Sequence, residues 1–368
     1  MKKEISAIAE RESYTKQSAF YPGRVWRDTE GKRIQAHGGA LFYEDGTYYW
    51  YGENKDRTDG KSKIWTWGIR AYESKDLYNW KDLGLIILPE LSDKNSNLYP
   101  EKHLDRPHIF KNSKTGNYVC WIKLSGNDAC FVILSAEHFT GPYRIVKENY
   151  RPENVKAGDF DIVHTKNGTS YLFMDADHQE IAGYRLTEDG YAAEQKVSRQ
   201  YFGLKPPFCR EGIAVFERRG KKYMLSSGMS GYIPNKSDSA FSDDWEQPFE
   251  SIGNPHIKDE SGSSCNSQIS QVFQVPGKKD LYIAVADRWV PEFPVDARIA
   301  DIMERAIAGS CDPEHYRCTP EEQQLLLSSP LLGSANTSIA DYVWLPLQFS
   351  GENLEIIWRD RWTLDEFE

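Results

Sequence analysis

Residues 40–53 read ALFYEDGTYYWYGE, which is an apolar stretch, a short polar turn containing Gly46, and then an aromatic-rich stretch. Two strand-like stretches around a turn glycine are typical of a β-hairpin, because glycine readily adopts the positive φ that such turns need. Four later segments repeat the pattern, with turn glycines at Gly116, Gly168, Gly220 and Gly277. The stretch is therefore one unit of an internal repeat.

The spacing of the repeats predicts the fold. Successive turn glycines lie 70, 52, 52 and 57 residues apart, and further strand-like runs such as GIRAYES and CFVILSAE lie between the hairpins. Each unit thus has room for about four strands, and five such units predict an all-β fold, a five-bladed β-propeller. A β-sandwich is the alternative, but it does not predict five equivalent hairpins.

The whole chain, residues 1–368, is predicted to form a single catalytic propeller domain. Residues 1–35 precede the first hairpin as an N-terminal segment, and residues 297–337 interrupt blade 5 with a helical pattern. Its second helix has Thr319 as N-cap, Pro320 at the first helical position and Glu322 three residues after the cap. We expect this helical insertion to pack against the propeller, and a lid or an oligomer contact are the alternatives.

Composition excludes several classes of partner. The chain has 45 Lys and Arg against 55 Asp and Glu, a net charge of −10, which argues against nucleic-acid binding. No apolar run reaches the ~18 residues of a membrane helix. The N-terminus lacks the apolar core of a signal peptide, so we expect a cytoplasmic protein, although a trimmed signal would look the same. Cys311 and Cys318 form only a weak metal pattern, so we expect reduced thiols and no metal site.

One register position is polar in every repeat. In a propeller the first strand of each blade lines the central channel, so equivalent positions converge on one axis. The residues nine positions before the turn glycine, or eleven in blade 2 with its longer turn, are His37, Asp105, Asp159, Glu211 and Gln268. Acids gathered on one axis raise one another's pKa and persist where function needs them. We interpret the set as a site, rather than as strand starts that bond neighbouring backbone.

Carboxylates facing each other across a pocket suit glycoside hydrolysis. One stays protonated as general acid to the leaving oxygen, and the opposite side must activate water. Aromatic side chains near the channel mouth could stack on sugar rings, although aromatic residues on strands are usually core. The candidates are Tyr49, Trp50, Tyr51, Trp65 and Trp67.

Several segments resemble glycoside hydrolase family 43, and within it the exo-β-1,3-galactanases: RIQAHGGALFYEDGTYYWYGENK, DRPHIFKN, REGIAVFERRGKKYMLSSG, NSQISQVF, ADRW and YVWLPLQF. The resemblance covers roughly residues 22–296 and 340–362. It implies a five-bladed propeller that hydrolyses O-glycosyl bonds, with an oligosaccharide as substrate. We expect no essential cofactor, and this expectation leaves room for a structural calcium ion.

The resemblance also implies roles for individual residues. Glu211 matches the general acid, and Asp159 matches the residue that tunes the pKa of the acid and orients it. The family's base position holds His37, so Gln268, in a Ser-Gln motif, is implied to handle the water, and whether Gln268 or His37 does so stays open. The predicted sugar contacts are His37, Glu53, Asp105, Trp67, Tyr232 and Trp289.

The departures from the galactanase pattern fall on the sugar-facing side. The segment after Trp121 lacks the Tyr of that subgroup, and Tyr232 stands where the subgroup has Trp. The predicted function is therefore that of an exo-acting, inverting glycosidase on a galactose- or arabinose-containing oligosaccharide. An arabinofuranosidase or xylosidase of the same family, and a propeller that only binds glycan, are the alternatives.

Overall fold

The computed structural model describes residues 14–329 and 336–368, so residues 1–13 of the N-terminal segment and 330–335 of the predicted insertion lie outside it. The first three blades are antiparallel sheets of four consecutive strands. Blade 1 holds β1 (His37–Glu44), β2 (Thr47–Glu53), β3 (Ile69–Ser74) and β4 (Lys81–Ile87). Blade 2 holds β5 (Leu104–Lys111), β6 (Tyr118–Leu124), β7 (Cys130–Ala136) and β8 (Arg144–Tyr150). Blade 3 holds β9 (Ala157–His164), β10 (Ser170–Ala176), β11 (Glu180–Leu186) and β12 (Ala193–Gln200).

The last two blades complete the circle. Blade 4 holds β13 (Arg210–Arg218), β14 (Lys221–Gly228), β15 (Ser237–Ser242) and β16 (Glu250–Gly253). Blade 5 holds β17 (Gln268–Gln274), β18 (Tyr282–Arg288), the short β19 (Asp341–Tyr342), β20 (Leu345–Ser350) and β21 (Asn353–Ile356). Each first strand contacts the first strands of the two neighbouring blades, so the five surround one axis. The predicted five-bladed β-propeller is confirmed.

The predicted turn glycines join the first two strands of every blade. All five have positive φ, from 75° at Gly46 to 88° at Gly168. At Gly46, Gly116, Gly220 and Gly277 an added Cβ would meet open space, so the conformation and not crowding selects glycine there. These turns fix the register of each hairpin, and with it which residues begin the strands around the axis.

The helical insertion interrupts blade 5 between β18 and β19. Its helices are α1 (Ala297–Cys311) and α2 (Pro320–Ser328), and α2 begins with the predicted capping box between Thr319 and Glu322. Within the described ranges, no helix is both long and apolar enough to cross a membrane.

Aromatic packing closes the ring where blade 5 meets blade 1. Phe20 of the N-terminal segment pairs with Trp362 near the C-terminus, and their rings stack with centroids 4.2 Å apart. Trp50 and Trp344 belong to the same buried cluster, which joins blade 1 to blade 5. The N-terminal segment and the stretch near the C-terminus thus bind each other across this junction. They hold blades 5 and 1 together, although the two sheets described share no strand.

Candidate active site

A β-bulge in the first strand of every blade positions the polar ring. Each bulge places one extra residue on the first strand, so the alternation of side chains shifts by one at that point. The bulges lie at residues 38–39, 106–107, 158–159, 212–213 and 270. They fall within or next to the predicted site positions in blades 1 to 4, and two residues after Gln268 in blade 5. The strands therefore turn polar side chains towards one end of the axis, while the strand residues that follow pack as core.

Glu211, the predicted general acid, lies near the start of β13. Its Oε1 atom accepts a hydrogen bond from the backbone N–H of Ser230, at 3.1 Å. Burial raises the pKa of Glu211 to about 8, and the charge of Asp159 adds to this, against smaller lowering contributions from Ser230 and Lys123. A carboxyl with such a pKa keeps its proton at neutral pH, as a general acid must.

Asp159 is held ionised beside Glu211. Its Oδ2 atom lies 2.8 Å from Nε of Arg106 and accepts the backbone N–H of Gly212 at 3.0 Å. Its Oδ1 atom accepts a hydrogen bond from Nζ of Lys123 at 2.6 Å. Burial alone would raise the pKa of Asp159, but Arg106 and Lys123 outweigh it and hold that pKa well below its usual range. The two neighbouring carboxyls thus carry opposite protonation states, the arrangement expected of an acid and its modulator.

Arg106 is the residue of the site that sequence reasoning missed. Its Nη2 atom donates to Oε1 of Gln268 at 2.9 Å, and its backbone N–H donates to Oε1 of Glu53 at 2.9 Å. It sits in the bulge of β5 with φ of 50°, a left-handed conformation that is uncommon for a non-glycine residue. With its contact to Asp159, Arg106 joins three of the predicted site residues.

Gln268 begins β17 on the axis side of blade 5. Its Oε1 atom accepts from Arg106 and from the indole Nε1 of Trp289, the latter at 3.3 Å. Its Nε2 atom donates to the hydroxyl of Ser227 at 3.1 Å. A Cβ at Gly212, the neighbour of Glu211, would lie 3.0 Å from Cγ of Gln268. Gln268 therefore lies beside the backbone of the acid, with its amide oxygen turned towards Arg106.

His37 lies in a buried network beside Trp289, with ring centroids 5.9 Å apart, and its role as a sugar contact stays a prediction. The side chain has no exposed surface, and its ring nitrogens lie 3.0 Å from Oδ1 of Asp287 and 3.1 Å from Oε1 of Gln35. Burial lowers the pKa of His37, and Asp287 only partly offsets this. Through Asp287, which also accepts the backbone N–H of Gly38, His37 supports the start of β1. Its role as a base likewise stays a prediction.

Glu53 and Asp105 form the wall on the side of blades 1 and 2. Oε2 of Glu53 lies 2.7 Å from Nζ of Lys55, and burial raises the pKa of Glu53 to about 7. Asp105 accepts hydrogen bonds from the indole Nε1 of Trp65, at 2.7 Å, and from the hydroxyl of Ser125. Neighbouring donors thus hold both carboxyl groups in place, as expected for groups that accept hydrogen bonds from sugar hydroxyls.

Aromatic rings cover this cluster. The ring of Tyr232 lies 5.0 Å from that of Trp289 and 5.9 Å from that of Trp65. Burial raises the pKa of Tyr232 well above its usual range, and the carboxylates of Asp105 and Glu53 add to the effect, which places the phenol close to them. The predictions for Tyr232 and Trp289 therefore fall on residues of one pocket.

Other predicted aromatic contacts lie elsewhere. The indole of Trp67 packs under the guanidinium of Arg57, 3.9 Å from the ring centroid, and its sugar contact stays a prediction, whereas the indole of Trp65 donates to Asp105. Trp50 and Tyr51 are core residues with 1 % exposure. Both are buried in the core, as aromatic residues on strands usually are.

In residues 14–329 and 336–368, no group of three or more His, Cys, Asp or Glu side chains is arranged to hold a metal ion. The charges of the acids are instead met by Arg106, Lys123 and Lys55. The cluster can thus donate a proton from Glu211 and bind hydroxyl groups through its fixed carboxylates.

A five-bladed propeller with a protonated glutamic acid beside an ionised aspartate is the architecture of a propeller glycosidase. The sequence matches glycosyl hydrolases family 43 over residues 39–290. This is more than half of the chain, so the chain belongs to glycosyl hydrolase family 43 and is a glycosidase. No curated protein sequence matches it.

Solved structures with the same fold include β-1,3-galactan enzymes. A family 43 β-1,3-galactosidase superposes with a TM-score of 0.77 at 26 % identity, over 95 % of this chain and 65 % of that one. A second, solved with galactodeoxynojirimycin, gives 0.74 at 21 % identity over 94 % and 100 %. An exo-β-1,3-galactanase from Clostridium thermocellum gives 0.72 at 23 % identity over 94 % and 66 %. This chain thus spans about two thirds of the length of the first and third.

Proposed function

We propose that the protein is an exo-acting, inverting glycosidase that removes a terminal sugar from a galactose- or arabinose-containing oligosaccharide. The observation that carries this proposal is the pair formed by protonated Glu211 and ionised Asp159. The β-1,3-galactan enzymes among the structural relatives support galactose as the sugar to test first.

In the proposed reaction Glu211 protonates the glycosidic oxygen as the bond to the anomeric carbon breaks. The proton is available because burial and the charge of Asp159 keep it on Glu211. Asp159 remains charged through Arg106 and Lys123, so it stabilises the proton before transfer. Once the proton has gone, repulsion between the two carboxylates favours its return from solvent, which resets the acid.

Water attacks the anomeric carbon from the side opposite Glu211, which inverts the configuration, and it gives up its proton to solvent water as the new C–O bond forms. Gln268 is the residue to which we assign the holding of that water, because its amide is fixed by Arg106, Trp289 and Ser227. Glu53 and Asp105 are suited to accept hydrogen bonds from sugar hydroxyls. Exo action is supported by the rings of Trp65, Tyr232 and Trp289, which lie together over one side of the cluster.

A substrate screen with stereochemical readout tests the proposal. It compares β-1,3-galactobiose with nitrophenyl β-galactoside, α-arabinofuranoside and β-xyloside, and follows the first-formed anomer by proton NMR. We expect cleavage of the galactobiose to release α-galactose first. Release of β-galactose first would refute inversion, and cleavage of only the arabinofuranoside or xyloside would assign the alternative activity within the family.

A glycan-binding propeller without turnover is the second candidate. The observation in its favour is that the ring position of blade 1 holds no carboxylate but His37, which is buried and bonded to Asp287. This reading predicts that galactose or galactobiose changes the fluorescence of Trp65 and Trp289 while no substrate of the screen is cleaved. Measurable turnover that is lost in Glu211→Gln would exclude it.

A further inference from the structure

The loop of residues 229–236, here termed the capping loop, contacts both the general acid and the pocket. It joins β14 to β15, and the backbone N–H of Ser230 donates to Oε1 of Glu211. Two residues further on, Tyr232 lies between Trp65 and Trp289. One loop therefore holds the carboxyl of the acid and also closes the space in front of it.

The space between the capping loop and the start of blade 5 is too small for a sugar. The cavity lined by Tyr232, Trp289 and Gln268 has a volume of about 10 Å³. A cavity needs roughly 10–15 Å³ to hold one water, whereas ligand pockets measure roughly 300–1,000 Å³. Asp105 and Asp159 are each less than one tenth exposed. Glu211 and Gln268 keep part of their surface exposed to solvent, whereas a sugar that enters between Tyr232 and Gln268 needs the capping loop to move away.

Helix α1 covers the outer side of the same loop. Ile233 packs against the apolar cluster of the insertion that includes Met303 and Leu326. Nζ of Lys236 lies 3.0 Å from Oε2 of Glu304. Between α1 and the loop remains a cavity of about 120 Å³, lined in part by Ile233 and Met303. The helix thus holds the loop through a few contacts and leaves it room to shift.

We propose that α1 is a positioning element for the reaction: it sets the closed position of the capping loop, which opens to admit a sugar and then returns Ser230 to Glu211. Met303 is a positioning residue, because it acts through Ile233 and not on the substrate. The proposal rests on the proposed function for the identity of the sugar. Among the alternatives for the insertion it favours a lid over simple packing.

The expected effects on binding and turnover are opposite in sign. If the closed loop excludes sugar, the apparent Kd equals the intrinsic Kd divided by the open fraction. A weaker contact to α1 raises the open fraction, so the sugar binds more tightly. Turnover falls, because Glu211 loses the fixed donor of Ser230 for part of the time. A merely structural residue would not tighten binding.

Hydrogen exchange without sugar measures the loop directly. In Met303→Ala we expect the amides of residues 230–233 to exchange about tenfold faster, as for a segment whose local stability has dropped. The amides of residues 213–217 in β13 should not change. Met303→Leu should restore slow exchange. Leu327→Ala serves as the matched control, because Leu327 is on the insertion but 72 % exposed.

Binding and kinetics follow on the same variants. We expect the Kd of D-galactose, read by tryptophan fluorescence, to fall about three- to tenfold in Met303→Ala, and kcat on β-1,3-galactobiose to fall as well. Lys236→Ala and Glu304→Ala change only half-exposed groups, so they preserve the fold. They should act in the same direction but more weakly, and the double variant should add nothing to either single one.

Unchanged exchange of residues 230–233 in both Met303→Ala and Lys236→Ala would overturn the proposal. A higher Kd for galactose with unchanged exchange would make the loop a fixed wall of the pocket, and would overturn it too. If the wild-type protein neither binds nor cleaves any sugar of the screen, the proposed function fails. The exchange comparison still decides whether α1 positions the loop in that case.

Discussion

The charges around Glu211 should set the alkaline limit of activity. With a pKa of about 8 the carboxyl is about 90 % protonated at pH 7, whereas at its ordinary value of 4.5 it would be about 0.3 % protonated. The environment therefore increases the protonated fraction of Glu211 about 300-fold at pH 7. Because the acid form is the active one, kcat/KM should fall as the pH rises through about 8.

Asp159→Asn should move this limit downward. The substitution removes a negative charge that raises the pKa of Glu211, and it frees Arg106 and Lys123, whose positive charges favour the ionised form. Loss of a neighbouring charge moves a pKa by about 1–2 units. The protonated fraction at pH 7 would then drop from about 90 % to between about 50 % and 10 %.

Lys123→Gln is the matched variant with the opposite sign. Lys123 lowers the pKa of Glu211 and neutralises Asp159, so its loss should move the alkaline limb upward. The assay is kcat/KM on β-1,3-galactobiose from pH 5 to 10, with thermal unfolding to confirm that each variant is folded. A disaccharide is used because a good aryl leaving group needs less protonation. The electrostatic assignment would be refuted if the alkaline limbs of both variants moved in the same direction. It would also be refuted if the limb of folded Asp159→Asn did not move.

Three further predictions concern single side chains. Glu211→Gln should lower kcat on β-1,3-galactobiose by ~10²–10⁴, the usual contribution of a general acid, and initial rates with a nitrophenyl galactoside should fall less. His37→Ala should destabilise the fold by about 2–4 kcal/mol in urea unfolding, because it leaves a cavity and removes the partner of Oδ1 of Asp287, whose Oδ2 atom keeps the N–H of Gly38; restored rate on adding azide would contradict this, since it would mean that His37 is a base. Trp65→Ala should raise KM at least about fivefold, while Trp67→Ala, whose ring packs under an arginine, should leave KM within about twofold.

The ring of site positions could be predicted because hairpin turns fix register. A turn glycine marks where its two strands meet. The residue nine positions before it, or eleven where the turn is longer, therefore lies at the same level in every blade. Counting back from the glycine does not show where the bulges lie, because one inserted residue does not change the pattern of a short strand in a recognisable way. His37 has the same place relative to its bulge as Asp105 and Glu211, so its full burial follows from its partners Asp287 and Gln35 and could not be predicted from the count.

The cations of the site illustrate what sequence reasoning lacked. Arg106 lies within a bulge, where backbone geometry and not periodicity decides its direction. Lys123 offered a usable signal, because in the register of its hairpin it pairs with Asp105 across β5 and β6. Opposite charges on paired residues favour contact. Trp65 and Trp67 lie in a loop, where neither the repeat nor the strand register predicts the direction of a side chain.

The contacts of Gln268 decide what its amide can do. Arg106 and Trp289 can only donate hydrogen bonds, so the atom that faces both must be the carbonyl oxygen, and Nε2 must face Ser227. An imidic-acid tautomer would carry a proton on that oxygen, where two N–H groups already point. The guanidinium draws electron density towards the oxygen and leaves Nε2 a stronger donor and a weaker base. With these contacts in place, Gln268 is suited to hold and orient water. Accepting the proton of that water would require Arg106 to withdraw when substrate binds.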